Sequence, residues 1–569
     1  MSRDIRFLCP DPPHPQLHRS TPAQRGCDPH RDHGVITNRR ADADDAGPIR
    51  RSWHPPCRYG LVVERVRLAE LCAATSLYTD LGTGQTTEHG LRTCLLAMRL
   101  ADALELDPAA CGEVFYVSLL RFLGCTADAA ELAALAGGDE VQFLAGMAPV
   151  AMGSPREEIA QMIRLVGAGQ RWLRRLRTLA RALTDSKSGE RLLSAHCEVG
   201  ARLATEIGLP DRVSAALGAA YARWDGRGVP AGLAGDDIPM SVRVSIVARD
   251  VELWARDAGH DAARQILEQR RGRAYDPAVV DAALDVGVEC LRDVGEGLWQ
   301  AVLDLEPDAA WWVSGVPLRR ALAALGDYAD LKLPERAGHA RRVARLASTI
   351  AGIGDLDDGE AEVLLQAALV HDVGMVAVPV GVWRGGRRAG DAESELVRLH
   401  PHWSARVLGR CGGLDRVALV AGQHHERRDG SGYPFGLAGD LGRLAGLLAC
   451  IVLFDELTAI GGRREEEAAA EMAALADAGA LDRRDVQAVL EAAGLDAPLA
   501  RVDRPAGLTE REVEVLGLLA RGLTNRQIAA ALCVSVKTVG AHVEHLYVKA
   551  GVRSRAAATL FAMQHDLVG

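Results

Sequence analysis

The segment RDGSGYPFGLAGD at residues 428–440 has a close counterpart, WDGRGVPAGLAGD, at residues 224–236 of the same chain. The two segments are 204 residues apart. A histidine 29 residues before the shared aspartate, His196 in the first copy and His400 in the second, keeps the same separation. Sequence that repeats at a fixed separation indicates two copies of one structural module. We therefore predict a fold built on a tandem repeat.

The two copies differ in length. His89 and His339 also occupy matching positions, but they are 250 residues apart. The first copy therefore holds 46 extra residues, which fall between Cys125 and His196. We predict an insertion in the first module at that point.

The composition predicts an all-α protein of several domains. The 569 residues are too many for one compact domain, and 48% of them are hydrophobic while only 4% are aromatic. Alanine and leucine dominate, which favours helices over sheets. We predict a first module over residues 59–300, a second over 320–498 and a C-terminal domain over 505–569. Residues 1–58 are predicted to be a disordered tail. The alternative is that the start codon was assigned too early and that this segment is not translated.

Charge, hydropathy and cysteine usage narrow the class of protein. The sequence has no apolar run of membrane-spanning length and no signal-peptide pattern. Its twelve cysteines are scattered, so we expect a cytoplasmic protein with reduced thiols and no membrane partner. The net charge of −10 argues against a chain that coats nucleic acid, although residues 505–569 alone carry +2.

The C-terminal sequence predicts a helix-turn-helix domain. Residues 508–555 read LTEREVEVLGLLARGLTNRQIAAALCVSVKTVGAHVEHLYVKAGVRSR. Capping boxes predict helices that start after Thr509 and Thr524, and Ser535 predicts a third helix that ends before Gly551. A fourth helix fills the remainder. Two short helices joined by a tight turn are typical of DNA-binding proteins.

These residues resemble the LuxR-type (GerE-like) helix-turn-helix of transcriptional regulators over 65 residues. The resemblance implies that the helix from Val536 enters the major groove and that a homodimer binds a two-part DNA site. The family often has lysine where Gly540 stands here, so one DNA contact is expected to be absent. The candidate DNA-binding residues are Asn525, Arg526, Lys537, Thr538, His542 and Lys549.

The second copy contains a group of candidate metal ligands. Glu335 and His339 are four residues apart, which on a helix would place both on one face. Histidine and carboxylate ligands favour a divalent ion such as iron or manganese, and a bridging carboxylate can hold two ions that activate water against phosphodiesters. The alternative is that these are ordinary histidines. The candidate metal ligands are Glu335, His339, His371, Asp372, His400, His424 and His425.

Three blocks resemble the HD-GYP family of all-helical, metal-dependent phosphodiesterases of cyclic dinucleotides: HDVGM at 371–375, HP at 400–401 and HHERRDGSGYP at 424–434. The resemblance implies that these ligands hold one or two ions, with His371 and Asp372 as catalytic residues. Two positions depart from the family pattern. Met375 replaces a lysine that steadies a phosphate, and Val452 replaces a metal-binding aspartate. We therefore expect impaired catalysis.

The first copy has lost most of the ligand pattern. Arg121 and Phe122 stand where the second copy has His371-Asp372, and residues 220–221 are Ala-Tyr where it has His-His. The remaining histidines are too few to hold an ion. We interpret this copy as a structural or ligand-sensing remnant.

Three functions are consistent with these patterns. The first is a DNA-binding transcriptional regulator whose modules sense a metal, a cyclic dinucleotide or another partner. The alternative is a metal-dependent cyclic-dinucleotide (c-di-GMP-type) phosphodiesterase that its DNA-binding domain localises. A third is an inactive scaffold for protein partners, which fits the first copy better than the second.

Overall fold

The computed structural model describes residues 65–567 with gaps. The gaps are residues 152, 168–171, 185–187, 288–296, 308–309, 354–355, 386–390, 440, 496–504, 521–522, 553–557, 559–560 and 563–566. The predicted N-terminal tail, residues 1–58, lies outside the described residues.

The described chain is almost entirely helical, as predicted. The first part contains α1 (Leu68–Gly82), α2 (His89–Ala103), α3 (Pro108–Leu120), α4 (Ala129–Ala136), α5 (Glu140–Met147), α6 (Pro155–Leu165), α7 (Trp172–Thr184), α8 (Ser188–Ile207), α9 (Asp211–Leu217), α10 (Met240–Ala258), α11 (His260–Arg270), α12 (Pro277–Val286) and α13 (Leu298–Leu303).

The second part has a similar order of helices. It contains α14 (Gly315–Asp330), α15 (His339–Ile353), α16 (Asp358–Val370), α17 (Val380–Gly385), α18 (Asp391–Arg398), α19 (His400–Leu408), α20 (Asp415–Ala421), α21 (Arg443–Asp455), α22 (Glu465–Asp477) and α23 (Arg483–Ala492). Two short strands, β1 (Val66–Arg67) and β2 (Trp312–Val313), pair antiparallel with Val66 opposite Val313.

The repeat seen in the sequence is visible in the packing. In the first copy α2 packs on α3 and α10, and in the second copy α15 packs on α16 and α21. Likewise, α8 contacts α9 as α19 contacts α20. Helices α4 to α7 lie in the predicted insertion, where Leu132, Ala136, Phe143 and Val166 form a small buried cluster.

The two copies bury one continuous hydrophobic core, which extends from Val66 to Leu490. Hydrogen bonds cross between the copies inside this core. The Tyr78 hydroxyl donates to the Ser404 carbonyl at 2.9 Å, and the Thr126 hydroxyl donates to the Tyr328 carbonyl at 2.6 Å. Each copy therefore depends on the other for the burial of its apolar surface.

A buried ion pair joins the insertion to the second copy. Lys332 is 1% exposed, and its Nζ lies 3.0 Å from Glu140 Oε1 at the start of α5. The ammonium also donates to the Val376 carbonyl, and the Glu140 carboxylate accepts the Val380 N–H at 2.9 Å. These contacts fix the insertion against the segment that follows His371-Asp372.

We expect Lys332→Met to destabilise the two copies by about 3–5 kcal/mol, because it leaves the Glu140 carboxylate buried without a cation. Replacing both partners, with Lys332→Met and Glu140→Gln, should recover most of that loss. Urea unfolding followed by tryptophan fluorescence measures the effect selectively, since residues 505–569 contain no tryptophan. Equal losses in the single and double variants would contradict this account.

The C-terminal domain has its own core, which includes Leu508, Leu516, Ile528, Val539 and Leu546. Its described helices are α24 (Glu510–Ala520), α25 (Asn525–Ala531) and α26 (Val536–Ala550). Most of the fourth predicted helix falls outside the described residues.

The predicted caps of these helices are present. The Gln527 N–H donates to Thr524 Oγ1, and the Gln527 side chain accepts the Thr524 N–H, which completes a capping box. The Thr538 N–H donates to Ser535 Oγ at the start of α26. Gly551 ends α26 with a φ of 64°, a left-handed conformation that favours glycine. Among the described helices, none is both long and apolar enough to cross a membrane.

Candidate functional site

Six buried side chains from four parts of the second copy converge in its interior. His339 begins α15, His371 and Asp372 follow α16, His400 begins α19, and two histidines follow α20. The converging residues are His339, His371, Asp372, His400, His424 and His425. Helix ends thus deliver every predicted ligand except Glu335.

These residues form two groups that share one carboxylate. The first group is His339, His371 and Asp372, and the second is Asp372, His400, His424 and His425. In each group the potential ligand atoms all lie within 4.8 Å of one another. This arrangement matches two neighbouring ion sites with Asp372 between them.

Three of the histidines are held in the same tautomer. The Nδ1 atoms of His371, His400 and His424 lie 2.9, 2.7 and 2.6 Å from the backbone carbonyl three residues earlier. A carbonyl only accepts, so each Nδ1 carries the hydrogen and each Nε2 keeps its lone pair. Burial lowers the pKa of His371 and His424, which favours the neutral form that binds metals.

The lone pairs of these rings face one another. The Nε2 atoms of His400 and His424 are 3.1 Å apart, as are those of His339 and His371. Asp372 Oδ1 lies 3.1 Å from His400 Nε2 and is buried without a hydrogen-bond partner among the described residues. Acceptor atoms this close repel one another unless a cation lies among them. The donor set therefore fits divalent ions.

Asp372 carries the negative charge of the centre. Burial by itself would raise its pKa, but the guanidinium of Arg336 holds the pKa well below its usual range. Arg336, which is buried, forms an ion pair with Asp372 Oδ2. The carboxylate is thus ionised and available to a metal.

Asp455 belongs to neither ligand group, but it orients one of the ligands, His339, through a hydrogen bond. Its Oδ2 accepts the Nδ1–H of His339 at 2.7 Å, and Arg342 Nε donates to its Oδ1 at 2.7 Å. Burial opposes ionisation of Asp455, but these two hydrogen bonds lower its pKa. The hydrogen bond to Nδ1 directs His339 Nε2 toward the shared Asp372.

We expect Asp455→Ala to weaken metal binding about 10- to 100-fold, because it releases the tautomer and orientation of His339. Competition with a coloured chelator measures the affinity. Asp327→Ala is the matched control, since Asp327 forms two hydrogen bonds with Arg341 on the protein surface. An affinity loss of the same size in the control would contradict a specific role for Asp455.

The prediction that Glu335 shares a helix face with His339 is wrong. Glu335 lies in the 3-10 turn Pro334–Arg336, and Gly338, at a φ of 74°, separates that turn from α15. The Glu335 carboxylate is 3.0 Å from Arg384 at the surface. Its neighbour Arg336 points into the centre instead.

The loop around Gly432-Tyr433-Pro434, here called the Gly-Tyr-Pro loop, covers one side of the centre. The buried Glu426 carboxylate accepts the N–H groups of Phe435 and Leu437 at 2.7 and 2.8 Å, which fixes the loop. The ring of Tyr433 stacks on His425 with 4.6 Å between centroids. Phe435 is 60% exposed beside these residues. The loop therefore presents an exposed aromatic side chain, the Phe435 ring, 6.0 Å from the ring of His402.

The two departures from the family pattern are both buried in the core. Met375 and Val452 are each 0% exposed and pack among apolar side chains. Neither can provide a charge or a ligand. Arg336 lies beside Asp372 and is a cation in the centre that the sequence did not point to.

The equivalent region of the first copy contains no comparable ligand group among its described residues. His89 pairs through Nδ1 with Glu252, much as His339 pairs with Asp455. The ring of His196 contacts Phe122 and Tyr221 rather than other ligands.

The candidate DNA-binding residues lie on α25 and α26. Arg526, Lys537 and Thr538 are exposed, whereas Asn525 and His542 are half-buried. Lys549, the last of the candidate DNA-binding residues, places its Nζ 2.7 Å from Glu512 Oε2. This pair ties the last turn of α26 to α24.

Glu512 is a structural residue that the sequence assigned only to a cap. Its burial would raise the carboxyl pKa, but hydrogen bonds from Lys549 and Thr509 lower that pKa to about 2. The residues that sequence reasoning missed, Arg336, Asp455 and the Lys549 partner Glu512, act through contacts between distant segments.

Two protein families match parts of this chain. Residues 174–279 and 324–484 match the family described as HD domain. Residues 506–562 match the family described as bacterial regulatory proteins, luxR family.

Individual relatives match different parts of the chain. The 3'3'-cGAMP-specific phosphodiesterase 3 of Vibrio cholerae is 28% identical over 399 residues, which is 69% of this chain and 86% of that protein. The cyclic di-GMP phosphodiesterase response regulator RpfG of Xanthomonas campestris pv. campestris is 31% identical over 33% of this chain and 50% of its own length. The response regulator protein VraR of Staphylococcus aureus is 44% identical over 11% of this chain and 29% of its own length.

A solved structure has a similar fold. The crystal structure of a cyclic GMP-AMP specific phosphodiesterase of Vibrio cholerae superposes with a TM-score of 0.53 at 23% identity. The superposition covers 76% of this chain and 99% of that one.

Proposed function

Since the chain carries two stretches of HD domain and a luxR-family regulatory domain, we propose that it is a DNA-binding transcriptional regulator whose second HD copy binds divalent metal ions and a cyclic dinucleotide. The observation that carries the proposal is the buried group of lone-pair donors around Asp372. That group belongs to the same chain as a fully capped helix-turn-helix.

Two ions would be held by different sides of the centre. His339, His371 and Asp372 would hold one, and Asp372, His400, His424 and His425 would hold the other. Imidazole and carboxylate donors suit iron or manganese. Bound ions would supply charge neutralisation and an activated water. A centre of this kind attracts the phosphates of a dinucleotide.

The protein around the centre provides further recognition of such a ligand. Phe435 is exposed and can stack against a base, which is a sequence-tolerant contact. The guanidinium of Arg398 lies 5.6 Å from the Tyr433 ring and can approach a phosphate. We propose that the Gly-Tyr-Pro loop and Arg398 form the walls of the nucleotide site.

The metal and ligand parts of the proposal are tested on the full chain. Purified protein is expected to contain iron or manganese and to bind cyclic di-GMP or 3'3'-cGAMP by calorimetry only when the metal is present. Protein without metal after reconstitution with either ion, or dinucleotide binding that ignores a chelator, would contradict the proposal.

The second candidate function is hydrolysis of the bound dinucleotide. The specific observation in its favour is that Asp372 belongs to both ligand groups, as a two-ion hydrolytic centre requires. His371 and Asp372 are then the catalytic residues, because they would hold the ions that contact the reacting phosphate. Arg336 would hold Asp372 ionised and add positive charge where Met375 adds none.

Hydrolysis is measured by chromatography of the nucleotide products after incubation with manganese or iron. We expect slow conversion to a linear dinucleotide, since Val452 removes one ligand from the group of His339. Binding without any product over hours would leave the second copy as a sensor and exclude the second candidate.

For the DNA-binding part, we propose that α26 enters the major groove, with Lys537, Thr538 and His542 facing the bases and Asn525 and Arg526 facing phosphates. We also propose a homodimer on a two-part site. Full-length protein should prefer the DNA upstream of its own gene over random DNA, with an affinity that falls steeply between two salt concentrations. No preference at either salt would contradict a sequence-reading regulator.

The regulatory link between the two parts has its own test. If the second copy acts as a sensor, the dinucleotide and metal should change DNA affinity, and DNA should change dinucleotide affinity by the same factor. DNA affinity that ignores both ligands would reject a sensing role.

A further inference from the structure

The first copy contains a cavity at the position of the second copy's metal centre. The cavity has a volume of about 110 Å³. Its wall includes Arg121, Phe122 and Tyr221, which replace His371, Asp372 and His425 of the second copy. Ala148 and Ala151 of the insertion close another side.

Arginines stand where the metal centre has, or would have, ligands. Arg121 occupies the position of His371. Arg249 precedes Glu252 by three residues, as Val452 precedes Asp455, and Glu252 and Asp455 make equivalent contacts. The second copy therefore has a site that fits metal cations, whereas the equivalent site of the first copy is lined by cationic arginines.

Arg121 forms no ion pair in the described part of the chain, where Asp250, the carboxylate of the same cavity, pairs with other arginines. Arg121 is 5% exposed, and its Nε and Nη1 atoms are buried without hydrogen-bond partners there. Its guanidinium faces the neutral ring of Tyr221, whose centroid lies 5.5 Å away. A buried guanidinium without a carboxylate is costly, and an anion in the cavity would remove that cost.

The carboxylate that faces the same cavity is already occupied. Asp250 pairs with Arg249 and, at 2.9 Å, with Arg270, and it accepts the Tyr275 hydroxyl. Arg223 pairs with Asp225 at 2.8 Å. The charged residues that line the cavity are three arginines and one aspartate, so its surroundings are positive.

His196 adds a hydrogen-bonding group to the same wall. Its Nε2 is buried without a partner among the described residues. The His196 ring lies against Phe122 and Tyr221, and its Nε2 can accept a ligand hydroxyl when the ring hydrogen is on Nδ1. The arginines can donate hydrogen bonds to negative oxygens, and His196 can accept one from a hydroxyl. A ligand group that bears both negative oxygens and a hydroxyl would satisfy both.

We propose that the first copy binds a phosphate group in this cavity, with Arg121 and Arg249 as donors and His196 as acceptor. The volume suits one phosphoryl group and is far below the roughly 300–1,000 Å³ of sites for larger ligands. The ligand is inorganic phosphate or the terminal phosphate of a nucleotide. This site is independent of the function proposed for the second copy.

The test uses full-length protein freed of metal with a chelator. No ion is then left in the second copy to bind phosphate, and the Asp372 carboxylate still pairs with Arg336. Calorimetry with inorganic phosphate should show saturable binding, and phosphate should raise the unfolding temperature relative to sodium chloride of equal ionic strength. Arg121→Met should weaken phosphate binding about 10- to 100-fold, the range for loss of charged hydrogen bonds. It should also leave the unfolding temperature without phosphate unchanged or higher.

Arg271→Met is the matched control, because this substitution removes the same charge from the protein surface, where Arg271 forms an ion pair with Asp281. It should leave phosphate binding unchanged. The proposal is overturned if the parent protein shows no saturable phosphate binding, or if Arg121→Met and Arg271→Met bind phosphate equally.

A parallel titration with a 5'-mononucleotide identifies the source. Tighter binding of the mononucleotide by tenfold or more supports a nucleotide phosphate, and equal or weaker binding supports inorganic phosphate. Arg121→Met should weaken the preferred ligand in either case.

Discussion

Asp372→Asn is expected to lower metal affinity by more than 100-fold and to abolish any phosphodiesterase activity. Asp372 is the carboxylate common to both ligand groups, so its loss removes a ligand from each ion at once. Asparagine keeps the shape of the side chain, but it lacks the charge that balances Arg336 and the ions. Metal content after dialysis, measured by elemental analysis, gives the result directly.

The control for this variant is Asp330→Asn. Asp330 is buried nearby, and burial raises its pKa to about 8, so it is already largely neutral at pH 7. The substitution should leave metal content near that of the parent. Full metal content in Asp372→Asn would contradict the assignment of the centre.

The second large effect is expected from Lys537→Ala combined with Thr538→Ala. Both residues are exposed in the first turn of α26, where recognition helices contact base edges. At about 1–3 kcal/mol per contact, specific DNA affinity should fall by about 30-fold or more, while binding to random DNA should fall less.

Fluorescence anisotropy with specific and random DNA separates the two effects. His545→Ala is the control, because His545 is an exposed residue further along the same helix. Equal losses on specific and random DNA would mean that these residues contact only phosphates.

A gain of DNA affinity is expected from Gly540→Lys. A Cβ at Gly540 meets no atom within 4 Å, so a longer side chain fits without rearrangement. Lysine also favours the helix over glycine by roughly 0.5–1 kcal/mol. The added charge should steepen the dependence of DNA affinity on salt by about one unit of slope. An unchanged salt slope would show that position 540 does not face a phosphate.

The sequence predicted the short-range features of this protein well. Both resemblances that it supported are confirmed by the family comparisons, and the caps at Thr524 and Ser535 lie where local pattern placed them. Capping depends on residues three positions apart, so a linear pattern is enough to find it.

The sequence was less informative where distant segments meet. Arg336 and Asp372 are 36 residues apart, and His339 and Asp455 are 116 residues apart. No local pattern encodes those contacts. The error at Glu335 has a local cause, because a spacing of four residues implies a shared face only within one helix. Gly338 ends the preceding turn before that helix begins.

The common core of the two copies also constrains how the gene can change over generations. Point substitutions can replace metal ligands in the first copy without loss of the fold, because the shared core depends on the volume of the side chains at those positions and not on metal binding. Deletion of that copy would instead strip Lys332 of Glu140 and uncover the apolar faces that the second copy shares with it. The first copy is therefore difficult to lose but chemically free to diverge, which is the condition under which a duplicated module can acquire a new ligand.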